Sequence, residues 1–188
     1  MAFIITYTGR QFDFDKFTSE DFVLADIVHA LSMLCRFTGH CKSFYSVGMH
    51  SILVADMLES FKPEYILEGL MHDAVEAYIN DLNRPLKDSG RMEEYNVYED
   101  KLQRAIAQTY DLAYPFPPEV LEADRLAVNI EASILLPTWP TPLPKLPSVH
   151  WWQECVRDLQ ESYTFPSAIE ALLMRNIQNQ FGIRRNKA

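Results

Sequence analysis

The residues best suited to chemistry are two histidines and two aspartates on three separate apolar segments. His50 lies in MHSILVADML, the pair His72-Asp73 lies in GLMHDAVEAY, and Asp124 lies in VLEADRLAVNI. An imidazole or carboxylate that points at a core is costly unless it is hydrogen-bonded or bound to a cation. Two imidazoles and two carboxylates form a mixed nitrogen and oxygen set that suits a borderline divalent metal. The pattern predicts that three helices bring these groups to one metal site.

Each of these residues also has a simpler interpretation. A histidine beside apolar residues is often a hydrogen-bonded core residue, and a His-Asp dipeptide occurs frequently by chance. The context favours a site, because Glu76 follows Asp73 by three residues and so falls on the same side of a helix. A further carboxylate, Asp81, follows in the next polar stretch.

Most of the remaining sequence has the spacing of helices. Residues 2–14 are β-branched and aromatic around a Thr-Gly break, and they predict a small hairpin. Apolar residues then recur at helical spacing. The predicted helices cover residues 23–34, 47–58, 63–76, 92–110, 118–136, 148–162 and 166–181, with a polar loop at 80–90. We expect an all-α fold, a compact bundle of about seven helices with a small N-terminal β-hairpin.

The chain length of 188 residues fits a single domain over residues 1–188. Five prolines fall within residues 137–147 (PTWPTPLPKLP), and proline removes backbone donors and fixes φ. We therefore expect a proline-rich internal strap there. The basic residues 182–188 are expected to form a mobile tail.

Composition and charge exclude several classes of partner. The net charge of −9 argues against nonspecific binding to duplex nucleic acid or to an anionic membrane. The three cysteines are odd in number and lack Cys-x-x-Cys spacing, which fits a reducing compartment. No secretory signal and no apolar run of 18 residues are present in the sequence. We expect a cytoplasmic protein without a membrane partner.

These motifs resemble the HD-domain metal-dependent phosphohydrolases, whose H…HD…D pattern is matched by the four residues named first. Residues 72–87 (HDAVEAYINDLNRPLK) are similar to the His-Asp-Ala-x-Glu…Asp-Leu-x-x-Pro-x-Lys segment of small bacterial 5′-deoxynucleotidases. Residues 26–51 are similar to a phage and bacterial branch with an Arg-Phe-x-Gly-His…Phe-Tyr-Ser-Val…His-Ser signature. Phage dATP triphosphohydrolases have a similar size and motif order. The resemblance spans about residues 9–135.

The resemblance implies a metal centre and two catalytic acids. Its metal ligands would be His50, His72, Asp73 and Asp124. The ion would be a divalent transition metal, Zn²⁺, Co²⁺ or Mn²⁺, with Mg²⁺ a candidate second ion. Glu76 would orient or deprotonate the attacking water, and Asp81 would lie close to the substrate sugar or to a water on the metal.

The same resemblance implies four substrate-binding residues. Arg36 and Lys87 would hold phosphate oxygens. Phe37 stands where the nucleotidases carry a tryptophan, and it would keep an aromatic wall beside the sugar or base. His40 belongs to the phage-like signature without a defined role. The alternatives are a surface salt bridge for Arg36 and an ordinary solvated position for Lys87.

The expected function is hydrolysis of a nucleotide phosphoester by a metal-activated water. The phage-like signature favours a deoxynucleoside triphosphohydrolase of the dATP type, and the first alternative is a 5′-deoxynucleotidase on monophosphates. A catalytically silent, metal-containing helical binding module is the second alternative, which intact Glu76 and Asp81 disfavour. We expect a homo-oligomer, a dimer or a hexamer, located in the host cytoplasm if the protein is phage-encoded.

Overall fold

The structure, a computed structural model, describes residues 3–146 and 148–187 and is mostly helical, as expected. Two short strands come first, β1 (Phe3–Ile5) and β2 (Gln11–Asp13). The helices are α1 (Leu24–Met33), α2 (Val47–Phe61), α3 (Ile66–Met71), α4 (Glu76–Ile79), α5 (Arg84–Lys87), α6 (Glu93–Tyr110), α7 (Pro118–Leu135), α8 (Val149–Ser162) and α9 (Pro166–Lys187). Single 3₁₀ turns lie at Ser19–Asp21, Phe37–Gly39 and Pro63–Tyr65.

The predicted N-terminal hairpin is present. β1 and β2 pair antiparallel, with Phe3 opposite Asp13 and Ile4 opposite Phe12. Phe12 is 1% exposed, and its ring lies 4.4 Å from that of Tyr78 on α4. The hairpin therefore covers the helix that follows the His-Asp pair.

α2 is the central helix of the fold. Its N-terminus is capped by Ser46, whose side chain accepts a hydrogen bond from Met49 N at 3.1 Å. A helix that is apolar on most of its circumference must be covered on all sides. α2 accordingly packs against α1, α3, α7, α8 and α9. His50 points into this core with none of its surface exposed.

The predicted continuous helix over residues 63–76 is wrong, because α3 ends at Met71 and α4 starts only at Glu76. Gln103 on α6 meets the backbone at this break. Its Oε1 accepts a hydrogen bond from Val75 N at 3.2 Å, and its Nε2 donates to Met71 O at 3.5 Å. A buried amide thus satisfies backbone groups at the interruption. The His-Asp pair lies in the resulting turn.

Two other segments differ from the sequence prediction. The loop expected at 80–90 contains the one-turn helix α5, whose N-cap Asn83 accepts a hydrogen bond from Leu86 N. Residues 182–187, expected to be a mobile tail, instead continue α9. Arg184 donates to Asp111 O at 2.7 Å and to the carboxylate of Glu68. The last residue of the expected tail, residue 188, lies outside the described residues.

The proline-rich segment carries no helix or strand over residues 137–146, and its last proline lies outside the described residues. Trp139 Nε1 donates to Asn129 Oδ1 on α7 at 3.3 Å, which holds this segment against that helix. Among the helices described, none is both long and apolar enough to cross a membrane.

Candidate metal centre

Two histidines and two aspartates from three parts of the fold lie close together. α2 supplies His50, the turn after α3 supplies His72 and Asp73, and α7 supplies Asp124. His50 Nε2 lies 3.2 Å from His72 Nε2 and 3.2 Å from Asp124 Oδ1. His72 Nε2 lies 3.3 Å from Asp73 Oδ2, and one atom from each of His50, His72 and Asp73 lies within 4.8 Å of the other two. The three residues His50, His72 and Asp73 form a group that can hold a metal ion.

The hydrogen bonds of the two imidazoles leave their Nε2 atoms available as ligands. His50 Nδ1 lies 2.8 Å from Glu131 Oε1, and His72 Nδ1 lies 2.9 Å from Gly69 O. Both partners only accept hydrogen bonds, so each Nδ1 carries a hydrogen and donates it. In a neutral ring, Nε2 then presents a lone pair. Metal-binding histidines are typically oriented in this way.

The charged residues around the site favour a positive charge where the histidines and aspartates meet. Burial and Arg36 oppose protonation of His50, yet Glu131 and Asp124 outweigh them and raise its pKa to about 9. Burial alone would raise the pKa of Asp73, but His72, His50 and Arg36 hold it well below its usual range. The Asp73 carboxylate is therefore ionised and available to a cation.

Glu131 is a site residue that the sequence analysis missed. Its side chain is fully buried on α7, where Oε1 accepts from His50 and Oε2 lies 3.4 Å from Arg36 NH2. A sequence signal did exist, because Glu131 follows Asp124 by seven residues inside the apolar run NIEASIL. Seven residues are two helical turns, so both carboxylates fall on one face.

Arg36 lies inside the site rather than at its surface. It is 7% exposed, and its NH1 lies 3.6 Å from Asp73 Oδ2 and 3.9 Å from Asp81 Oδ2. Burial lowers the pKa of Arg36, but the carboxylates of Glu131, Asp73 and Asp81 outweigh it and raise the pKa further. The expected alternative of a surface salt bridge is therefore wrong, and Arg36 compensates buried negative charge.

The two predicted catalytic acids both lie in this charged environment. Glu76 is 5% exposed, and its Oε2 has no hydrogen-bond partner among the described residues. Burial, followed by the charges of Asp73 and Asp81, raises the pKa of Glu76 well above its ordinary value. Burial and Asp73 also raise the pKa of Asp81, against the effect of Arg36.

The remaining predicted substrate contacts differ in how accessible they are. Lys87 Nζ forms a 2.6 Å ion pair with Glu99 on α6, and its side chain is 20% exposed. Phe37 is half-buried, with its ring centroid 5.6 Å from the guanidinium carbon of Arg36. His40 is exposed and follows the 3₁₀ turn Phe37–Gly39. The aromatic ring thus lies beside the buried charge network, whereas His40 faces solvent.

Arg84 is a second residue that the sequence analysis did not assign. It is the first residue of α5, and its NH2 lies 3.6 Å from Asp124 Oδ2 while 72% of its side chain is exposed. Asn83 fixes this helix by donating from Nδ2 to Thr38 Oγ1 at 3.3 Å. In the sequence, Arg84 lies in the polar stretch between Asp81 and Lys87, where a single arginine carries no distinguishing signal.

Comparison with known proteins identifies two relatives of this chain. No protein-family profile matches it. It is 37% identical to the uncharacterized protein YfdR of Escherichia coli (strain K12) over 131 residues, which cover 70% of this chain and 71% of YfdR. It is 28% identical to the uncharacterized protein RCAP_rcc00048 of Rhodobacter capsulatus over 133 residues, 68% of this chain and 67% of that protein. The chain belongs to the same protein family as YfdR.

Proposed function

We propose that this protein is a metal-dependent phosphohydrolase of the HD type that acts on nucleotides, with a deoxynucleoside triphosphate as its substrate. The observation that carries the proposal is the close approach of two imidazole nitrogens and two carboxylate oxygens. His50 Nε2 lies 3.2 Å from both His72 Nε2 and Asp124 Oδ1, and His72 Nε2 lies 3.3 Å from Asp73 Oδ2. Four such donors placed together repel one another unless a cation or protons lie between them.

The donor set fits a borderline divalent ion. His50, His72, Asp73 and Asp124 would hold Zn²⁺, Co²⁺ or Mn²⁺ through two nitrogen and two oxygen atoms. When bound, such an ion supplies a Lewis acid that lowers the pKa of water and polarises a phosphoryl oxygen. Glu131 and the Gly69 carbonyl keep the two imidazoles in the tautomer that this binding needs.

Glu76 is the residue we assign to proton transfer. Burial raises the pKa of this carboxyl well above the ordinary value, which makes its carboxylate a stronger base than an exposed glutamate. Its Oε2 has no hydrogen-bond partner within the described residues, so it is free to accept a proton from the attacking water. Asp81, whose pKa is also raised, lies 3.9 Å from Arg36 NH1 and is the candidate contact to the sugar.

The nucleotide assignment rests on the motif resemblance and on the cations near the site. Arg36 and Arg84 both approach the carboxylates of the donor set, at 3.6 Å in each case. Of these two, Arg36 is the cation that would offset the charge developing on the reacting phosphoryl oxygens. Phe37 supplies an aromatic surface beside Arg36 for a sugar or base.

A product analysis tests the proposal directly. The protein is stripped with a chelator, reloaded with Zn²⁺, Co²⁺ or Mn²⁺, and incubated with deoxy- and ribonucleotides carrying one or three phosphates. Chromatography of the products separates release of nucleoside and triphosphate from stepwise loss of phosphate and from action on monophosphates alone. A protein that binds metal stoichiometrically but releases no phosphate from any nucleotide would be a binding module, and the proposal would be wrong.

The first prediction concerns the assigned base. Glu76→Gln keeps the size of the side chain but cannot accept the proton, so kcat should fall by roughly 10²–10⁴ while metal content stays at the wild-type level. Glu94→Gln, at an exposed position of α6, is the matched control and should keep full kcat. Loss of the metal along with the activity would make Glu76 a ligand instead of a base.

A further inference from the structure

The three cations of the site differ in what their donors already contact. Arg36 is almost fully buried and lies near Asp73, Asp81 and Glu131. The ammonium of Lys87 is held by Glu99 at 2.6 Å.

Arg84 contrasts with both of these cations. Its side chain is 72% exposed, and 3.6 Å to Asp124 Oδ2 is too long for a hydrogen bond. Its guanidinium forms no hydrogen bond with any residue that the structure describes. Arg84 is thus the cation of this group whose five N–H donors remain free.

The backbone of Arg84 is nevertheless well positioned. The preceding residue, Asn83, accepts a hydrogen bond from Leu86 N at 3.3 Å and donates one to Thr38 Oγ1 at 3.3 Å. The following residue, Pro85, restricts φ within this turn. The base of the side chain is therefore anchored to the 3₁₀ turn that follows Arg36, and the exposed guanidinium is free to adjust to a ligand.

The two oxygens of Asp124 face different groups, one towards the other donor atoms and one towards Arg84. Oδ1 lies 3.2 Å from His50 Nε2, whereas Oδ2 lies 3.6 Å from Arg84 NH2. One carboxylate thus separates the point where the ligand atoms converge from a solvent-exposed cation. If a phosphate bound where these donor atoms meet, Arg84 would be the cation beside it on the solvent-exposed side.

We propose that Arg84 forms a binding subsite for the phosphates beyond the reacting one, and that it selects nucleoside polyphosphates over monophosphates. The inference rests on the proposed function. A phosphate bonded to the reacting phosphate must extend away from the buried donors, because Arg36, Glu131 and His50 fill the inner side. A guanidinium presents paired N–H donors that match two phosphate oxygens, and this fork makes arginine well suited to such a contact.

Steady-state kinetics test the selectivity, and this is the second prediction. Arg84→Ala should lower kcat/KM for a deoxynucleoside triphosphate by roughly 10–100-fold, the effect of one charge-assisted contact, and for the corresponding monophosphate by less than about 3-fold. Arg91→Ala, at an exposed position between α5 and α6, is the matched control and should leave both values unchanged. Equal losses on both substrates, or none, would overturn the subsite.

A binding measurement separates this inference from the proposed function. Calorimetry on the metal-loaded protein compares inorganic tripolyphosphate with orthophosphate, and Arg84→Ala should weaken only the tripolyphosphate. If Arg84→Ala lost affinity for tripolyphosphate only, and the wild-type protein hydrolysed no nucleotide, the subsite would be supported and the proposed function refuted. If Arg84→Ala weakened both anions equally, or neither, in a protein that hydrolyses nucleotides, the subsite alone would be refuted. Metal content is measured in each variant, since loss of metal in Arg84→Ala would mean that this residue positions Asp124 instead.

Discussion

The inner and outer sides of the candidate site are built in different ways. On the inner side, His50 and Glu131 are fully buried and Arg36 is 7% exposed. The first two residues project from α2 and α7, helices of 15 and 18 residues. On the outer side, Arg84 belongs to a helix of one turn, and its side chain is 72% exposed.

This difference separates two kinds of control over the site. Side chains held by core packing keep one geometry, which suits groups that must hold a metal ion in place. Side chains on a short surface segment adjust to what they bind, which suits groups that recognise a variable part of a substrate. Substitutions on the inner side should therefore change stability and metal binding together, whereas those on the outer side should change substrate selectivity.

The largest effect is expected from Glu131→Ala, the third prediction. The substitution leaves Arg36 without one of its carboxylate partners and His50 Nδ1 without its acceptor. Breaking a buried charge pair costs about 3–5 kcal/mol of unfolding free energy. Loss of a partner that orients a ligand lowers metal affinity by roughly 10–100-fold. Urea denaturation and metal titration measure the two effects.

Two further substitutions on the same residue and helix sharpen this result. Glu131→Gln keeps an acceptor for His50 Nδ1 but removes the charge, so it should recover more of the metal affinity than of the stability. Glu122→Ala removes an exposed carboxylate from the same helix and should change neither quantity. Wild-type stability in Glu131→Ala would show that the inner side is not the rigid part of the site.

A smaller effect is expected from Gly69→Ala, the fourth prediction. A Cβ at this position of α3 would lie 2.6 Å from Leu58 Cδ1 and 3.3 Å from Ala55 Cα on α2. The leucine methyl can move, but the backbone atom requires the two helices to separate. Overpacking of this kind costs about 1–3 kcal/mol. Because Gly69 O orients His72, metal affinity should fall as well.

Gly182→Ala is the matched control for this substitution. Gly182 lies in α9, where an added Cβ meets nothing within 4 Å. Alanine favours a helix over glycine, so this variant should be more stable than the wild type by up to about 1 kcal/mol. If Gly69→Ala gains stability in the same way, the close approach of α2 and α3 does not constrain the site. Thermal denaturation and metal titration of both variants provide the comparison.

The inner and outer sides also differ in how well the sequence predicts them. Helical spacing of apolar residues predicts α2 and α7, and the misplaced polar residues on them identify His50 and Asp124 as candidates. Spacing could place Glu131 on the same helix face as Asp124, but it could not predict the contact with His50, which is 81 residues away in the chain. Nor could the break after Met71, since its hydrogen bonds come from Gln103 on another helix. The spacing of apolar residues predicts which face of a helix is buried, but it does not predict which buried polar side chains contact one another.

α2 provides one more comparison, because it carries two ionisable side chains whose surroundings differ. His50 has the carboxylates of Glu131 and Asp124 beside it. Asp56 follows on the same helix and is half-buried, yet its side chain forms no hydrogen bond or ion pair with any described residue. Burial and the nearby Glu59 raise the pKa of Asp56 from 3.8 to about 6. This carboxylate therefore opposes folding at neutral pH.

Asp56→Asn tests this contrast and is the fifth and smallest prediction. Since the pKa of Asp56 is higher in the folded state, that state binds its proton more tightly. The associated stability is present below about pH 4 and is lost as the pH rises through about 6. The asparagine variant should be more stable than the wild type by about 1 kcal/mol at pH 7, after allowance for partial solvation. The two proteins should be equally stable at pH 4.

Urea denaturation at both pH values measures this difference, and a gain of the same size at pH 4 would show that Asp56 acts through packing instead of charge.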